Sequence, residues 1–407
     1  MKSSKNSSKS TFRRINDWLH LWMGLASGIV VFIVSITGCI YVFQQDIKDA
    51  LEPWRFVEAQ NKPFVPPSQL LDTAQAYMPG QKPTGLTYSN KEGAAAVGYM
   101  GSNGEEDFTA IFINPYTGEF LQKQTEGKGE FDFFHFIIDG HRALWLPYEI
   151  GRPVVGIATL IFVLLLFSGL VMWWPKKWNK SGIDKSFKIK WNGKFKRVNY
   201  DLHNVVGFYS LVLAFVLAVT GLVWSFEWFG NGLYYLTSGG EEKPGHHHPH
   251  SDVTKAGMFA DDTVSMLDKA WYKTLALEPD AQGWYMTPIL EDEEDAIELT
   301  AYQDFGSWYN RNEYYYDQHT LELYRVQGDR YSEASLADQL VMLNYDMHVG
   351  IVWGMPGKIL AFFISLICAS LPITGFMVWW NKKKKPKKKN ILVEGQQKKG
   401  FIKTAKA

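Results

Sequence analysis

Two of the ten histidines in this 407-residue sequence stand in the same local pattern, 183 residues apart. His20 and His203 each follow a leucine, and a glycine comes four residues after each of them (Gly24 and Gly207). The two histidines open apolar segments that run in the same direction. We therefore expect them to lie at one depth and to face each other, and we call them the His20 pair.

Two further histidines, His141 and His348, precede a second shared landmark. His141 is ten residues before Gly151, and His348 is nine residues before Gly357. They are expected at the opposite ends of the apolar segments from the His20 pair. We call them the His141 pair.

Facing imidazoles indicate iron chemistry. A neutral imidazole donates a nitrogen lone pair to iron, and two opposite imidazoles give a six-coordinate haem. Gly24 and Gly207 lie one turn after their histidines on the same helix face, where a missing side chain leaves room for a flat macrocycle. The sequence therefore predicts two non-covalent b-type haems, one held by the His20 pair and one by the His141 pair. No Cys-x-x-Cys-His sequence is present, which excludes covalent attachment.

Other metal chemistry is less favoured. The two cysteines, Cys39 and Cys368, are too few for a disulfide scaffold or a cysteine-rich zinc or iron–sulfur site. Inside the apolar segments no Cys, Asp or Glu accompanies the histidines, as zinc or copper sites would require. The run 246–250 contains four histidines and could collect metal ions, but it has no counterpart elsewhere in the chain.

His135 is the alternative to His141 as a ligand. Six residues separate the two, so on a helix they face different ways. The position that corresponds to His135 near His348 is apolar, which favours His141. His319 corresponds to a tyrosine in a turn motif and is assigned a structural role.

Four segments without Asp, Glu, Lys or Arg determine the architecture. Each is at least 22 residues long, and they cover residues 21–43, 153–174, 202–226 and 359–381. About 20 helical residues cross the hydrocarbon core of a bilayer, and the tryptophans at the ends are typical of the interfacial belt. The sequence predicts four transmembrane helices. The first is an uncleaved anchor, because its apolar core is too long for a signal peptide.

Charge is divided unevenly between the connecting segments. Residues 1–20, 175–201 and 382–407 hold 25 of the 42 basic residues but only four of the 42 acidic ones, which leaves a net charge of −21 elsewhere. By the positive-inside rule these three segments are cytoplasmic. We therefore predict a bacterial inner (cytoplasmic) membrane protein with both termini in the cytoplasm and two periplasmic segments. The lysine-rich tail is read as a topology signal that contacts lipid rather than nucleic acid.

The chain is predicted to be a duplication. Matched landmarks in the two halves include a pair of hairpin-like turn motifs (114–120 and 317–323) and four Ser/Thr-Gly steps (Thr37-Gly38 with Thr220-Gly221, Ser168-Gly169 with Thr374-Gly375). The predicted fold class is an α-helical membrane protein with four transmembrane helices in a duplicated two-plus-two arrangement and two α+β extracytoplasmic modules. Such parallel repeats are related by an axis along the membrane normal.

The predicted domain boundaries follow from these segments. They are a cytoplasmic N-terminus (1–20), transmembrane helix 1 (21–45), a first periplasmic module (46–150), transmembrane helix 2 (151–174), a cytoplasmic connection (175–201), transmembrane helix 3 (202–226), a second periplasmic module (227–352), transmembrane helix 4 (353–381) and a basic cytoplasmic tail (382–407).

Several of these motifs resemble the PepSY-associated transmembrane family. They are the Leu-His-x3-Gly openings, the His-Arg-x-Leu-Trp sequence from His141, the Ser-Gly-Leu-Val-Met-Trp-Trp-Pro sequence that ends the second span, and Asn-Pro-Tyr-Thr-Gly-Glu, which looks like the PepSY module signature. The resemblance covers about residues 12–384, and it implies that both periplasmic modules are PepSY-like.

That family includes inner-membrane siderophore reductases of the FoxB type, which are similar in layout and hold two haems between four spans. The resemblance implies a haem-dependent ferric reductase that passes electrons outward to ferric iron, chelated by a siderophore, and releases Fe(II) in the periplasm. It places His20 and His203 on the inner haem and His141 and His348 on the outer haem. It implies no catalytic residue beyond the haems.

Other possibilities stay open at this point. The protein could be a non-catalytic, membrane-tethered PepSY binding or regulatory protein, because PepSY modules are related to inhibitory propeptide domains. It could also be a metal-ion carrier, although the spans lack the charged residue that transport pathways usually keep. No Gly-x-Gly-x-x-Gly follows a predicted strand, so the electron donor is expected to be a quinol or a separate cytoplasmic reductase.

Overall fold

The computed structural model describes residues 10–383 apart from 102–107, 127–130, 246–248, 258–262, 289, 291, 305 and 327. Within this part, four helical segments are long and apolar enough to cross a membrane: Thr11–Leu51, Tyr148–Trp173, Phe195–Ser225 and Ile351–Asn381. Each overlaps one predicted span and begins several residues before it. The predicted number of apolar helices of membrane-spanning length is confirmed. The tail from residue 384 and three histidines of the run 246–250 lie outside the described residues.

Helices account for most of the described chain. In order they are α1 (Thr11–Tyr41), α2 (Gln44–Leu51), α3 (Pro67–Tyr77), α4 (Phe133–Ala143), α5 (Tyr148–Trp173), α6 (Lys180–Phe187), α7 (Phe195–Asp201), α8 (Gly207–Ser225), α9 (Glu227–Thr237), α10 (Met266–Leu277), α11 (Leu336–Val349) and α12 (Gly354–Lys383). Polar caps begin several of them: the side chain of Ser10 accepts the N–H of Arg13, and that of Ser335 accepts the N–H of Asp338.

Four of these helices form the membrane bundle. Helix α1 packs against α5 and α12, and α8 packs against α5 and α12. Two short helices lie beside the bundle, α4 against α1 and α5, and α11 against α8. The bundle interior contains small and aliphatic side chains, among them Ala214, Leu222 and Cys368, which are almost fully buried. The bundle therefore carries α4 and α11 at fixed places, and these two helices contain His141 and His348.

The remaining secondary structure is one antiparallel sheet of eight strands. The strands are β1 (Gly85–Tyr88), β2 (Ala95–Met100), β3 (Phe108–Ile113), β4 (Phe120–Glu126), β5 (Gly283–Met286), β6 (Ala296–Tyr302), β7 (Arg311–Asp317) and β8 (Leu323–Tyr324). Their order across the sheet is β4-β3-β2-β1-β5-β6-β7-β8. Strands β1 and β5 pair at the centre, with Leu86 opposite Met286. The two outer segments of the chain therefore share one sheet.

They also share one hydrophobic core. Leu70 from α3, Trp271 from α10 and Tyr88 from β1 belong to the same buried cluster, and the Trp271 indole stacks on the Tyr88 ring with centroids 4.4 Å apart. The hydroxyl of Ser68 donates to Asp268 at 2.6 Å, which links the two helices directly. Neither outer segment buries its sheet face without the other, so we expect them to unfold together.

The turn motifs form the two predicted hairpins. Between β3 and β4 the side chain of Asn114 accepts the N–H of Tyr116 at 2.9 Å. Between β7 and β8 Oδ1 of Asp317 accepts the N–H groups of His319 and Thr320, both at 2.8 Å. A short polar side chain that bonds its own backbone two residues on is the usual device of such turns. The predicted hairpins are confirmed, and His319 takes part in one of them through its backbone.

Asp317 accepts a second set of hydrogen bonds that, among the described residues, has no equivalent at its counterpart Asn114. Its Oδ2 accepts the N–H of Asp252 and the hydroxyl of Tyr324, both at 2.7 Å. Burial opposes the charge, yet these bonds and the two turn N–H groups hold the pKa of Asp317 well below that of an ordinary carboxyl group. The carboxylate therefore ties the turn to the segment before α10.

Asp317→Asn is expected to lower the free energy of unfolding by about 1–3 kcal/mol at pH 7, because an amide cannot accept the N–H of Asp252 at the Oδ2 position. The folded-state pKa lies below the unfolded value of about 3.9, so the stabilisation is complete above about pH 4 and is lost as the pH falls further. Thermal unfolding of the full-length protein in detergent measures both effects. Asp280→Asn, at an exposed position, is the control; equal losses in the two variants would contradict the prediction.

Candidate metal-binding histidine pairs

The structure brings the four predicted histidines together as two pairs. The ring centres of His20 and His203 are 6.3 Å apart, and those of His141 and His348 are 6.0 Å apart. Two imidazoles on opposite sides of one metal ion, at about 2 Å per bond, have ring centres about 6 Å apart. Each pair therefore has the spacing needed to share one metal ion.

The two pairs lie at different levels of the bundle. His20 is in the first part of α1, and His203 is in a π-helical turn, Leu202–Val206, that joins α7 to α8. Such turns are frequent at functional sites. His141 contacts Gly38, which follows His20 by 18 residues on α1. At 1.5 Å per helical residue the levels are about 27 Å apart along that helix, close to the thickness of the hydrocarbon core.

Each imidazole contacts a Ser/Thr-Gly step on a neighbouring helix through its Nδ1 atom. The distances from Nδ1 to the hydroxyl oxygen are 2.8 Å for His20 and Ser168, 3.0 Å for His203 and Thr374, 2.9 Å for His348 and Thr220, and 3.3 Å for His141 and Thr37. His141 Nδ1 also lies 2.9 Å from the carbonyl oxygen of Val34. All four steps matched between the halves of the sequence are thus histidine contacts.

These contacts determine which ring nitrogen carries the hydrogen. The hydroxyl of Thr220 donates its single hydrogen to the carbonyl of Val216 at 2.8 Å, so it can only accept from His348. The hydroxyls beside the other three histidines are engaged in the same way with carbonyls of their own helices. His141 is also constrained by the Val34 carbonyl, which can only accept. Nδ1 is therefore the donor in each ring, and Nε2 keeps the lone pair that a metal ion requires.

The glycine of each step lets the imidazole approach the helix backbone. A Cβ atom added at Gly38 or Gly375 would lie 3.1 Å from Cε1 of the adjacent histidine, and one at Gly169 or Gly221 would lie 3.4 Å from it. These distances leave little or no room for a side chain. The glycines contact His141, His203, His20 and His348 respectively.

The glycines predicted to leave room for a macrocycle have other neighbours. A Cβ atom at Gly24 would lie 3.9 Å from the Leu165 side chain, and one at Gly207 would lie 3.4 Å from Leu371. Both positions face an adjacent helix. Their predicted role beside a cofactor stays a prediction.

Three asparagines complete the histidine sites, and the sequence analysis missed them. Asn16, Asn199 and Asn344 each precede a paired histidine by four residues. Their amide groups donate to the backbone carbonyls of Ser168, Thr374 and Thr220 at 3.1, 3.1 and 3.2 Å. Each asparagine thus binds the backbone of the same Ser or Thr residue whose hydroxyl accepts a hydrogen bond from the histidine. The asparagine and the histidine are one helical turn apart. The repeated Asn-x3-His spacing could have revealed these asparagines in the sequence. Of the four paired histidines, only His141 lacks it, because Ile137 stands at the corresponding position.

A cavity of about 580 Å³ adjoins the His141 pair. Ligand sites in proteins typically measure about 300–1,000 Å³. The walls are mainly apolar and come from α1, α5, α8 and α12, whereas Arg142, Tyr148 and Arg152 supply polar groups. Burial lowers the pKa of His141 and of His348, and the proximity of His141 lowers that of His348 further. Both imidazoles are neutral at pH 7 and therefore available as ligands.

None of the other described histidines faces a second imidazole. His135 is exposed on α4, 3.4 Å from Asp139, and the structure places His141 rather than His135 opposite His348. His250 lies 3.8 Å from Glu294. Among the described residues, no group of three or more His, Cys, Asp or Glu side chains is arranged to hold a metal ion. The two imidazole pairs are therefore the candidate sites among these residues.

Four apolar helices with paired, half-buried histidines at two levels define a polytopic membrane protein. The sequence-family model of the PepSY-associated transmembrane region matches residues 18–382. The chain belongs to this family. A search of curated proteins returned no significant match.

Proposed function

We propose that this protein is a di-haem oxidoreductase of the bacterial inner membrane that delivers electrons to ferric iron, bound as a ferric siderophore, in the periplasm. The observation that carries the proposal is the geometry of the two histidine pairs. Each pair has ring centres about 6 Å apart, and each ring uses Nδ1 as a hydrogen-bond donor. The Nε2 atoms are left for iron.

The surroundings of the His141 pair fit a haem. The adjoining cavity is mainly apolar and of cofactor size, and its imidazoles are neutral. Among the described residues, no cluster of three or more His, Cys, Asp or Glu side chains offers a competing metal site. His141 and His348 would hold one haem, and His20 and His203 the other. Bound there, such haems supply one-electron transfer. The protein keeps each imidazole in one tautomer and orientation and excludes water with an apolar lining.

Sidedness is inferred from charge. The basic segments that flank the spans indicate a cytoplasmic location for both termini and for residues 175–201, which puts the His20 pair at the cytoplasmic side. The His141 pair then lies near the periplasm. A donor on the cytoplasmic side, a quinol or a reductase, supplies the electron, and Fe(III) in the chelate becomes Fe(II), which siderophores bind weakly.

We further propose that the chain is a duplication with two PepSY-like modules. Each half contributes one helix and four strands to the shared sheet and core, β1 to β4 with α3 and β5 to β8 with α10. The hairpin turns at Asn114 and Asp317 occupy corresponding strand connections. Asn16 and Asn199, with their histidines, make the same contacts in each half.

The proposal is tested with purified full-length protein from haem-replete cells. Dithionite should give a low-spin b-type spectrum with about two haems per chain, as two bis-histidine sites require. In vesicles of known orientation, the pre-reduced protein should reoxidise faster when a ferric siderophore is added on the periplasmic side than when the iron-free chelator is added. A folded, colourless preparation would overturn the haem assignment. A two-haem protein that ferric siderophores fail to reoxidise would overturn the substrate alone.

Thr220→Val is expected to weaken haem binding by the His141 pair about 10- to 100-fold, because His348 loses a hydroxyl acceptor that helps to orient its ring. Valine keeps the shape of threonine, so packing changes little. Haem titration of the haem-free protein measures the effect. Thr159→Val is the control: Thr159 also lines the cavity, but its hydroxyl donates to the carbonyl of Val155 on its own helix and, among the described residues, contacts no histidine. A similar loss in both variants would show that the hydrogen bond to His348 is not the cause.

A further inference from the structure

Two arginines lie together at the cavity of the His141 pair. Arg142 lies in the last turn of α4, immediately after His141, and Arg152 lies in the second turn of α5. Their guanidinium carbons are 5.3 and 5.8 Å from the ring centre of Tyr148, and Arg142 donates to the Tyr148 hydroxyl at 3.1 Å. All three residues line the cavity. Two positive charges thus share one polar cluster beside an otherwise mainly apolar space.

Among the residues that the structure describes, no carboxylate neutralises either charge. Within the described ranges, Arg142 and Arg152 form no ion pair, whereas Arg55, Arg197 and Arg325 each pair with an acidic side chain at 2.8 Å or less. The Nε atom of Arg152 donates to the Trp224 carbonyl at 3.0 Å, and other guanidinium N–H groups keep their donor capacity. Guanidinium groups of this kind bind carboxylates in a bidentate manner.

Each arginine is connected to one histidine of the pair, either through the chain or through a shared neighbour. Arg142 is adjacent to His141 in the chain. Arg152 binds the backbone of Trp224, whose indole packs edge-on against the His348 ring with centroids 5.2 Å apart. The connection between α4 and α5 also holds a strained shape, since Leu144 and Trp145 both have positive φ values of 55° and 58°. This turn brings Arg142 back over Tyr148, the first residue of α5.

We propose that Arg142 and Arg152 bind the two propionate carboxylates of the haem held by the His141 pair; the inference rests on the proposed function. A haem has a flat apolar body and two carboxylates on one edge. The cavity offers mainly apolar walls, two imidazoles and two guanidinium groups that form no ion pair within the described ranges. The arginines thereby set which edge of the macrocycle faces the polar cluster and raise affinity through charge-assisted hydrogen bonds.

The test compares haem with its dimethyl ester, which lacks both carboxylate charges. Full-length His20→Ala protein, freed of haem, retains only the site of the His141 pair. In this background we expect haem to bind at least about tenfold more tightly than the ester, since one charge-assisted hydrogen bond contributes roughly that factor. The further changes Arg142→Gln and Arg152→Gln together should weaken haem binding about 10- to 100-fold and leave ester binding unchanged.

Arg142→Lys with Arg152→Lys should restore part of the preference for haem, because lysine keeps the charge but not the bidentate geometry. Arg325→Gln, which removes an arginine that does not line the cavity, should leave the binding of both compounds unchanged. Equal affinities for haem and ester before the arginines are changed would overturn the inference, as would an equal loss of both ligands in the glutamine variant. Failure of the proposed function is separate: the protein would then bind neither compound with a bis-histidine spectrum.

Discussion

His348→Ala is expected to remove one of two haems and to leave the haem of the His20 pair in place. The two pairs lie about 27 Å apart along α1 and share no ligand. Loss of one imidazole leaves its haem with a single protein ligand and an empty volume beside it, so the low-spin spectrum of that site should disappear. Haem content per chain, measured on purified full-length protein, should fall from about two to about one.

The matched control is His135→Ala. His135 lies on α4, the helix that carries His141, but its side chain is exposed and contacts Asp139 at 3.4 Å. Its removal should leave both haems and both low-spin signals unchanged. The assignment fails if His135→Ala and His348→Ala lose the same amount of haem. It also fails if His348→Ala abolishes both haems while the protein keeps its thermal unfolding midpoint.

Gly375→Leu should prevent the His20 pair from binding its haem, with a loss of affinity of at least about 100-fold, the upper end for disturbed ligand orientation. A Cβ atom at residue 375 would already be 3.1 Å from Cε1 of His203, and the rest of a leucine side chain requires the volume that the imidazole occupies. His203 must then move away from His20, and the 6.3 Å spacing of the ring centres is lost. Haem titration and the low-spin spectrum report the effect.

Two comparisons separate this displacement from general damage to the fold. The haem of the His141 pair should persist in Gly375→Leu, because its ligands and their contacts lie at the other level of the bundle. Gly232→Leu introduces the same side chain on α9, where an added Cβ atom meets no atom within 4 Å, and should retain both haems. Retention of two low-spin haems in Gly375→Leu would show that this glycine does not limit the position of His203.

The amino-acid sequence alone determined the membrane architecture. The absence of charge over 22 or more residues in four segments is a local property, and burial in lipid depends on it directly. The family and the two hairpin turns were also predictable, because Asn114 and Asp317 act on backbone groups two or three residues away. The histidine pairing was predicted from repeated spacing, which reports equivalent places in two copies without any knowledge of contacts.

Contacts between distant segments were decided only by the tertiary structure. The Ser/Thr-Gly steps appeared in the sequence as repeat landmarks, yet their hydroxyls orient histidines 104 to 171 residues away. Which side chains meet depends on how the helices cross and rotate against one another, and no local pattern encodes that. For the same reason, the sequence did not predict that β1 pairs with β5 and so joins the two outer segments in one sheet. Nor did it predict that Arg142 and Arg152 both contact Tyr148. Both contacts depend on the tertiary structure.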